Sequence, residues 1–315
     1  MKLTSKKRNQ GISAALISAS LIGLAPVFGK AAMGPEQFSP FAVVALRTSL
    51  AAAFLVLIML VFKRQFLYIY PAGLYGCLLA GVLNGTGSIF YYVGLSKLNA
   101  SVAQMLYSLY PFFVAFWLQL DGQPPSKLTL IRIVIASFSA FLLTRVETGN
   151  INMVGVIFML ISAALYALHL PVNQRVLYDV PAPTVTVYTL VAMSAIVVPA
   201  YFIVRPPWPE NAPWLPVLGL TAVTFISRLM LFLGVKNIGG MQTALLGLAE
   251  LFVAIFFSHL LLGETLSSWQ WLGTAGLGAS LLLVWFEKPV TRPLHGNGLL
   301  SWLQPPDFPT DFFKH

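Results

Sequence analysis

Charge is what this chain has least of. Only 9% of its 315 residues are charged, whereas a soluble domain carries about a quarter. A water-soluble fold of this length would have little to cover its surface with. Acids are scarcer than bases, 10 against 19. There is a single cysteine, Cys77, inside an apolar run, so no disulfide can form within the chain. No Walker-type phosphate loop occurs, which argues against ATP-driven chemistry within this chain. No His/Cys cluster has metal-ligand spacing, and no nucleophile, base and acid stand out as a set. The expectation is therefore a protein that is not an enzyme and holds no metal or cofactor.

What the chain does have is apolar length. Hydrophobic residues make up 57% of it, and a helix needs about 20 apolar residues to cross a bilayer. Such segments recur at 11–30, 40–62, 70–93, 99–119, 127–145, 151–171, 184–204, 213–234, 240–262 and 268–286. They are spans 1 to 10 below. The runs are long and lack a two-residue alternation, which argues against a β-barrel. The first run follows a basic start, as a signal peptide does. It is too long for an h-region and more spans follow, so it reads as a retained first helix. The fold expected is all-α: a polytopic membrane protein of ten transmembrane helices.

The net charge of +9 reads as orientation rather than nucleic-acid binding. With the N-terminus cytoplasmic, twelve basic residues fall inside, four outside and three (Arg47, Arg132, Arg228) within spans. That bias is the positive-inside rule. Both termini are then cytoplasmic, which requires an even number of spans. The expected location is the plasma (inner) membrane. Residues 1–10 form a cytoplasmic N-terminus, and 287–315 a polar, Pro-containing tail expected to be cytoplasmic and flexible.

An internal repeat divides the rest. Shifted by 144 residues, Gly11–Leu24 overlays Gly155–Leu168 with seven of fourteen positions identical, and Pro26 falls within one position of Pro171. A shift of 140 overlays Leu106 on Leu246, Phe112 on Phe252 and Phe116 on Phe256. The chain thus splits into a first five-helix repeat, 11–146, and a second, 147–286. Five is odd, so the second must be inverted relative to the first. Inverted repeats are common in secondary transporters, where two similar halves facing opposite ways permit alternating access.

The residues also carry a family resemblance. Arg47 ends the run Pro40–Arg47 near the start of span 2, and Tyr91–Ala103 runs from the end of span 3 into span 4. Span 9 ends in Leu261-Leu262-Gly263-Glu264, and span 10 carries Gly273, Gly276 and Gly278. With the five-plus-five repeat, the chain resembles the EamA-type transporters of the drug/metabolite transporter superfamily. The resemblance implies a central cavity lined by spans 1–4 and 6–9, with spans 5 and 10 peripheral. It implies transport of amino acids, other small metabolites or drugs, often outward. The family often has Glu-Pro in spans 4 and 9. Here span 4 reads Tyr110-Pro111 and span 9 Glu250-Leu251, so each half keeps one member.

Ionisable groups deep in a bilayer are costly and usually face a cavity or a partner. Glu250 lies near the middle of span 9, on a face with Thr243, Gly247 and Ala254. It either binds a cationic group or a proton, or pairs with Arg228, or is a neutral buried acid. Arg47 either meets a substrate carboxylate, snorkels, or ties helices together. Arg228 and Arg132 are set aside, the first as able to snorkel, the second as peripheral. Span 6 puts Ser162, Tyr166, His169 and Asn173 on one face, where His169 is either a titrating group or a packed one. Span 3 offers Asn84, Ser88 and Tyr91; span 4 offers Gln104 and Tyr107 beside Tyr110. Polar stripes of this kind either join helices or line a pocket. Pro26, Pro111 and Pro171 are the candidate helix breaks or gates.

The function expected is a secondary transporter, an exporter of a small metabolite, amino acid or amphipathic drug, acting as a monomer or homodimer. A proton is a candidate coupling ion. The partners are the small-molecule substrate and the lipid bilayer, with no nucleic acid. The alternatives are a non-transporting membrane scaffold or sensor and a lipid-handling membrane protein. An intramembrane enzyme would need acids and histidines clustered near one interface, and the loops are poor in both.

Overall fold

The computed structural model describes residues 5–33, 36–98, 100–143, 152–210, 212–253, 268–287 and 298–303. Twelve α-helices are described. Span 1 is two of them, α1 (Ser5–Ile22) and α2 (Ala25–Ala32). Spans 2 and 3 are α3 (Pro40–Phe62) and α4 (Pro71–Lys97). Span 4 is again two, α5 (Ala100–Tyr107) and α6 (Tyr110–Leu120), and span 5 is α7 (Lys127–Leu143). Spans 6, 7 and 8 are α8 (Met153–Leu177), α9 (Ala182–Val204) and α10 (Trp214–Ile238). Span 9 opens with α11 (Gly240–Gly247) and span 10 is α12 (Ser268–Leu282).

The helices start where local chemistry supplies the missing partners of a first turn. Ser39 caps α3 by accepting from the Ala42 amide, and Pro40 sits in its first turn. Asn152 caps α8 by accepting from the Val154 and Gly155 amides. Outward-facing side chains such as Phe62, Val134, Phe138, Ile203 and Leu215 are more than half exposed. In water this would be an unsupportable apolar surface; in a bilayer it meets lipid tails. Six of the described helices are each long and apolar enough to cross a membrane. This is a polytopic helical membrane protein of about ten helices.

Two breaks recur at the same repeat offset of 140. Span 4 turns at Ser108–Leu109 and span 9 at Leu248–Ala249. Their tightened bonds correspond too. Leu109 N donates to Leu106 O at 3.3 Å and Ala249 N to Leu246 O at 3.0 Å. Phe112 N donates to Leu109 O at 3.0 Å and Phe252 N to Ala249 O at 3.1 Å. Pro111 accounts for the first break, because it removes the amide that would reach back one turn. The second keeps the geometry with Leu251 in the proline's place. Span 1 turns at Gly23–Leu24, with Pro26 in the first turn of α2. A Cβ at Gly23 would come within 2.8 Å of the Glu250 carbonyl oxygen, so only glycine permits that crossing.

Span 6 departs from the expected pattern. Pro171 lies inside α8, which runs through it unbroken. One missing amide costs a bond but does not end a helix packed against α4 and α6 on its flanks.

The two repeats interlock rather than sit side by side. Span 3 packs along span 6, and span 8 packs along span 1, so each repeat lends its third helix to the other's first. Spans 5 and 10 pair with each other: Arg132 Nε donates to Ser280 O at 2.9 Å while Ser280 Oγ donates to Arg132 O at 3.0 Å. Arg132 is fully buried, not snorkelled. It also bonds the Gln242 side-chain oxygen and lies 3.5 Å from Glu287.

At the end where spans 4 and 6 finish, Arg175 pairs with Asp121 at 2.8 Å, both almost wholly buried. Within the stretch expected to be a flexible tail, residues 298–303 turn against this pair. Leu300 N donates to Asp121 Oδ1 at 2.9 Å, and Leu300 and Leu303 pack on Ala80 and Val172.

Candidate functional site

A cavity of about 80 Å³ lies between the repeats. A single water needs about 10–15 Å³, so the space holds several waters or a compact solute. It is walled by spans 1, 2, 3, 4, 6, 8 and 9. Among the described residues spans 5 and 10 contribute nothing to it, as the resemblance implied. Span 7, also implied as a wall, contributes nothing either; α9 is instead spent packing against α3 and α4.

Most of the polar residues singled out from the sequence meet here: Arg47, Asn84, Ser88, Tyr91, Gln104, Tyr107, Tyr166 and Glu250, with Tyr110 and Ser162 beside them. His169 does not line the cavity. It sits behind the wall, fully buried, with Nδ1 against the Tyr166 carbonyl and Nε2 3.3 Å from Arg228 Nη1. A carbonyl can only accept, so Nδ1 carries the proton and Nε2 accepts from Arg228. The histidine is thus a neutral support for an arginine. Asn173 is behind the wall as well, its Nδ2 donating to His169 O at 2.9 Å. Thr243 and Gly247 line the cavity with Glu250, whereas Ala254 and the Gly263-Glu264 ending lie outside the described residues.

Glu250 is 3% exposed, and its Oε1 accepts from Gln104 Nε2 at 2.8 Å. An ion pair with Arg228 is absent among the described residues. Arg228 instead donates to Asn84 Oδ1 at 3.1 Å and stands 5.9 Å from the Tyr166 ring. Arg47 donates to Thr224 Oγ1 at 3.1 Å and Ser88 Oγ at 3.3 Å, and lies 4.8 Å over the Tyr92 ring. Each arginine therefore rests on a tyrosine face.

The two broken spans clasp each other at this level. Tyr110 OH donates to Ala244 O at 2.8 Å, while Glu250 accepts from Gln104. Under the 140-residue offset Tyr110 corresponds to Glu250, and Gln104 to Ala244. Both contacts therefore join the first residue after one break to the helix before the other. Tyr107, Tyr110 and Tyr166 stack around them at centroid distances of 5.1 to 5.6 Å.

Arg228, Thr224, Ser227 and Ser18 line the cavity without having been singled out as ligands. A signal existed on span 8. Thr221, Thr224 and Arg228 recur at spacings of three and four, a polar stripe like those of spans 3 and 6.

Long apolar helices with charge buried between two similar halves define the class: a polytopic helical membrane protein built as a repeat. The chain belongs to the EamA-like transporter family, whose profile matches residues 9–145 and 153–286. It is 28% identical over 199 residues to an uncharacterised transporter, YcbK, of Bacillus subtilis (strain 168). That alignment covers 59% of this chain and 64% of the relative, so it spans just under two thirds of the relative's length. A solved crystal structure matches with a TM-score of 0.70 over 89% of this chain and 96% of that one. At 18% identity it speaks to the fold alone.

Proposed function

We propose that this protein is a secondary transporter that exports a small metabolite, amino acid or amphipathic drug across the plasma (inner) membrane by alternating access. The supporting observation is the cavity itself. It lies where the broken helices of two repeats cross, and it holds Arg47, Arg228 and Glu250 without an ion pair among the described residues. Intramembrane charge held this way belongs to substrate or ion pathways. The repeats run in opposite directions with both termini cytoplasmic, so exchanging their conformations exchanges the open side. Glu250 is the residue that takes a cationic group or a coupling proton.

The test is flux in proteoliposomes, screening radiolabelled amino acids and related metabolites with and without a pH gradient. Saturable uptake of one compound class is expected. Glu250→Gln should lower it by about tenfold or more, as loss of a charged contact to substrate or proton does. Unchanged flux in the variant removes Glu250 from the site, and no saturable flux across the screen removes the transport reading.

A further inference from the structure

Four arginines are buried among the described residues: Arg47, Arg132, Arg175 and Arg228. Two follow the ordinary rule for buried cations and face a carboxylate, Arg132 with Glu287 and Arg175 with Asp121. The two that do not are the two that line the cavity. Arg47 and Arg228 are each only 9% exposed, yet they bond only neutral acceptors: Ser88, Thr224, Asn84 and His169.

Their supports fix how they stand. Asn84 and Ser88 are four residues apart on α4, and Thr224 and Arg228 four apart on α10. Arg47 is held by Ser88 and Thr224, and Arg228 by Asn84. The two guanidiniums therefore occupy neighbouring rungs, about 6 Å apart along the helix axes. Donors are left over on both rungs. Arg47 Nε and Asn84 Nδ2 are buried without a partner among the described residues. Glu250 does not answer this demand. It bonds Gln104, and even when ionised it balances one cation of two.

We propose that the solute is held by an oxyanion, a carboxylate or phosphate group, seated on the Arg47–Arg228 pair. This rests on the transport reading of the same cavity and adds the chemistry of the group recognised. Guanidinium forks match planar and tetrahedral oxyanions, which accept several bonds at once. The spare donors supply such bonds. The chain has withheld at this one place the carboxylate it gives its other buried arginines, and the solute brings it.

The purified full-length protein in detergent, at constant ionic strength, tests this by thermal unfolding. The probes are succinate, L-glutamate and inorganic phosphate, set against the neutral isostere succinamide and the diamine putrescine. At least one oxyanion should raise the midpoint saturably while succinamide and putrescine do not; whether the carboxylates or phosphate act identifies the group. Arg47→Gln and Arg228→Gln should each raise the half-saturating concentration by about tenfold or more. Arg64→Gln, at an exposed position, should leave it unchanged. Should a variant fail to fold, the charge series on the wild type still decides. Equal stabilisation by succinamide or putrescine, wild-type half-saturation in both variants, or no response to any oxyanion overturns the proposal. Counterflow in proteoliposomes separates the two readings. Oxyanion binding without counterflow leaves this site standing and sinks transport. Counterflow of a neutral or cationic solute that no oxyanion inhibits sinks this site and leaves transport.

Discussion

At the scale of single residues, the cavity wall depends on a few close approaches. A Cβ at Gly247 would collide with the Tyr110 hydroxyl, so this glycine is what lets Tyr110 reach Ala244 O. Gly247→Ala should cost about 1–3 kcal/mol through the displaced ring and lost bond. Adding Tyr110→Phe, which removes the hydroxyl, should recover part of the loss. A double-mutant cycle on detergent unfolding measures this coupling. Additive losses would mean that the collision is relieved elsewhere. Arg175 tells a different story. Its loss leaves Asp121 buried without its cation, with a hydrogen bond from the Leu300 amide remaining at Oδ1. Arg175→Ala should cost about 3–5 kcal/mol and be visible as a lowered unfolding midpoint. A loss under 1 kcal/mol would show that water reaches Asp121.

At the scale of elements, the matched breaks in spans 4 and 9 show which part of a helix interruption is imposed locally. Pro111 explains the span 4 break by itself, yet span 9 breaks at the corresponding place with Leu251 there. Span 9 thus shows that a turn at this place does not require a proline. Pro111→Leu should therefore keep the break, shifting stability by about 1 kcal/mol or less, well below the 3 kcal/mol by which a proline disfavours a helix interior. Hydrogen exchange at the new amide of position 111 and at Phe112 checks it, with strong helix-like protection at both counting against the idea. Pro171 makes the converse point, since a proline inside α8 does not break it.

At the scale of the whole molecule, the packing defines two mixed bundles. Spans 3 and 6 run together, and spans 8 and 1 run together, each pair drawn from both repeats. Alternating access would rock one bundle on the other. Two disulfides distinguish motion within a bundle from motion between bundles, in a Cys77→Ala background that removes the chain's one cysteine. A Cβ at Gly76 would lie 3.9 Å from Val176 Cβ, joining spans 3 and 6. A Cβ at Gly240 would lie 3.6 Å from Leu170 Cβ, joining span 6 of one bundle to span 9, whose α11 packs against α1 and α10 of the other. Both fit disulfide geometry. The Gly76→Cys/Val176→Cys pair should leave flux intact. The Leu170→Cys/Gly240→Cys pair should arrest it until a reductant is added. Arrest by the first pair alone would overturn the two-bundle division.

The helical, membrane-crossing character was legible in the sequence, because apolar length over about 20 residues is a local property that no distant contact can alter. The two repeats were legible as well, and so were most of the polar residues that meet in the cavity. A buried polar stripe on an apolar helix has few places to go. What no window of sequence holds is which groups face each other across 40 to 180 residues of chain. Only the packing decided that Glu250 meets Gln104 rather than Arg228. It also withdrew His169 behind Arg228, ran α8 straight through Pro171 and seated Leu300 on Asp121. The same packing gave carboxylates to Arg132 and Arg175 and none to Arg47 and Arg228. Charge pairing is a matter of a few ångströms in three dimensions, and composition counts the charges without saying where they stand.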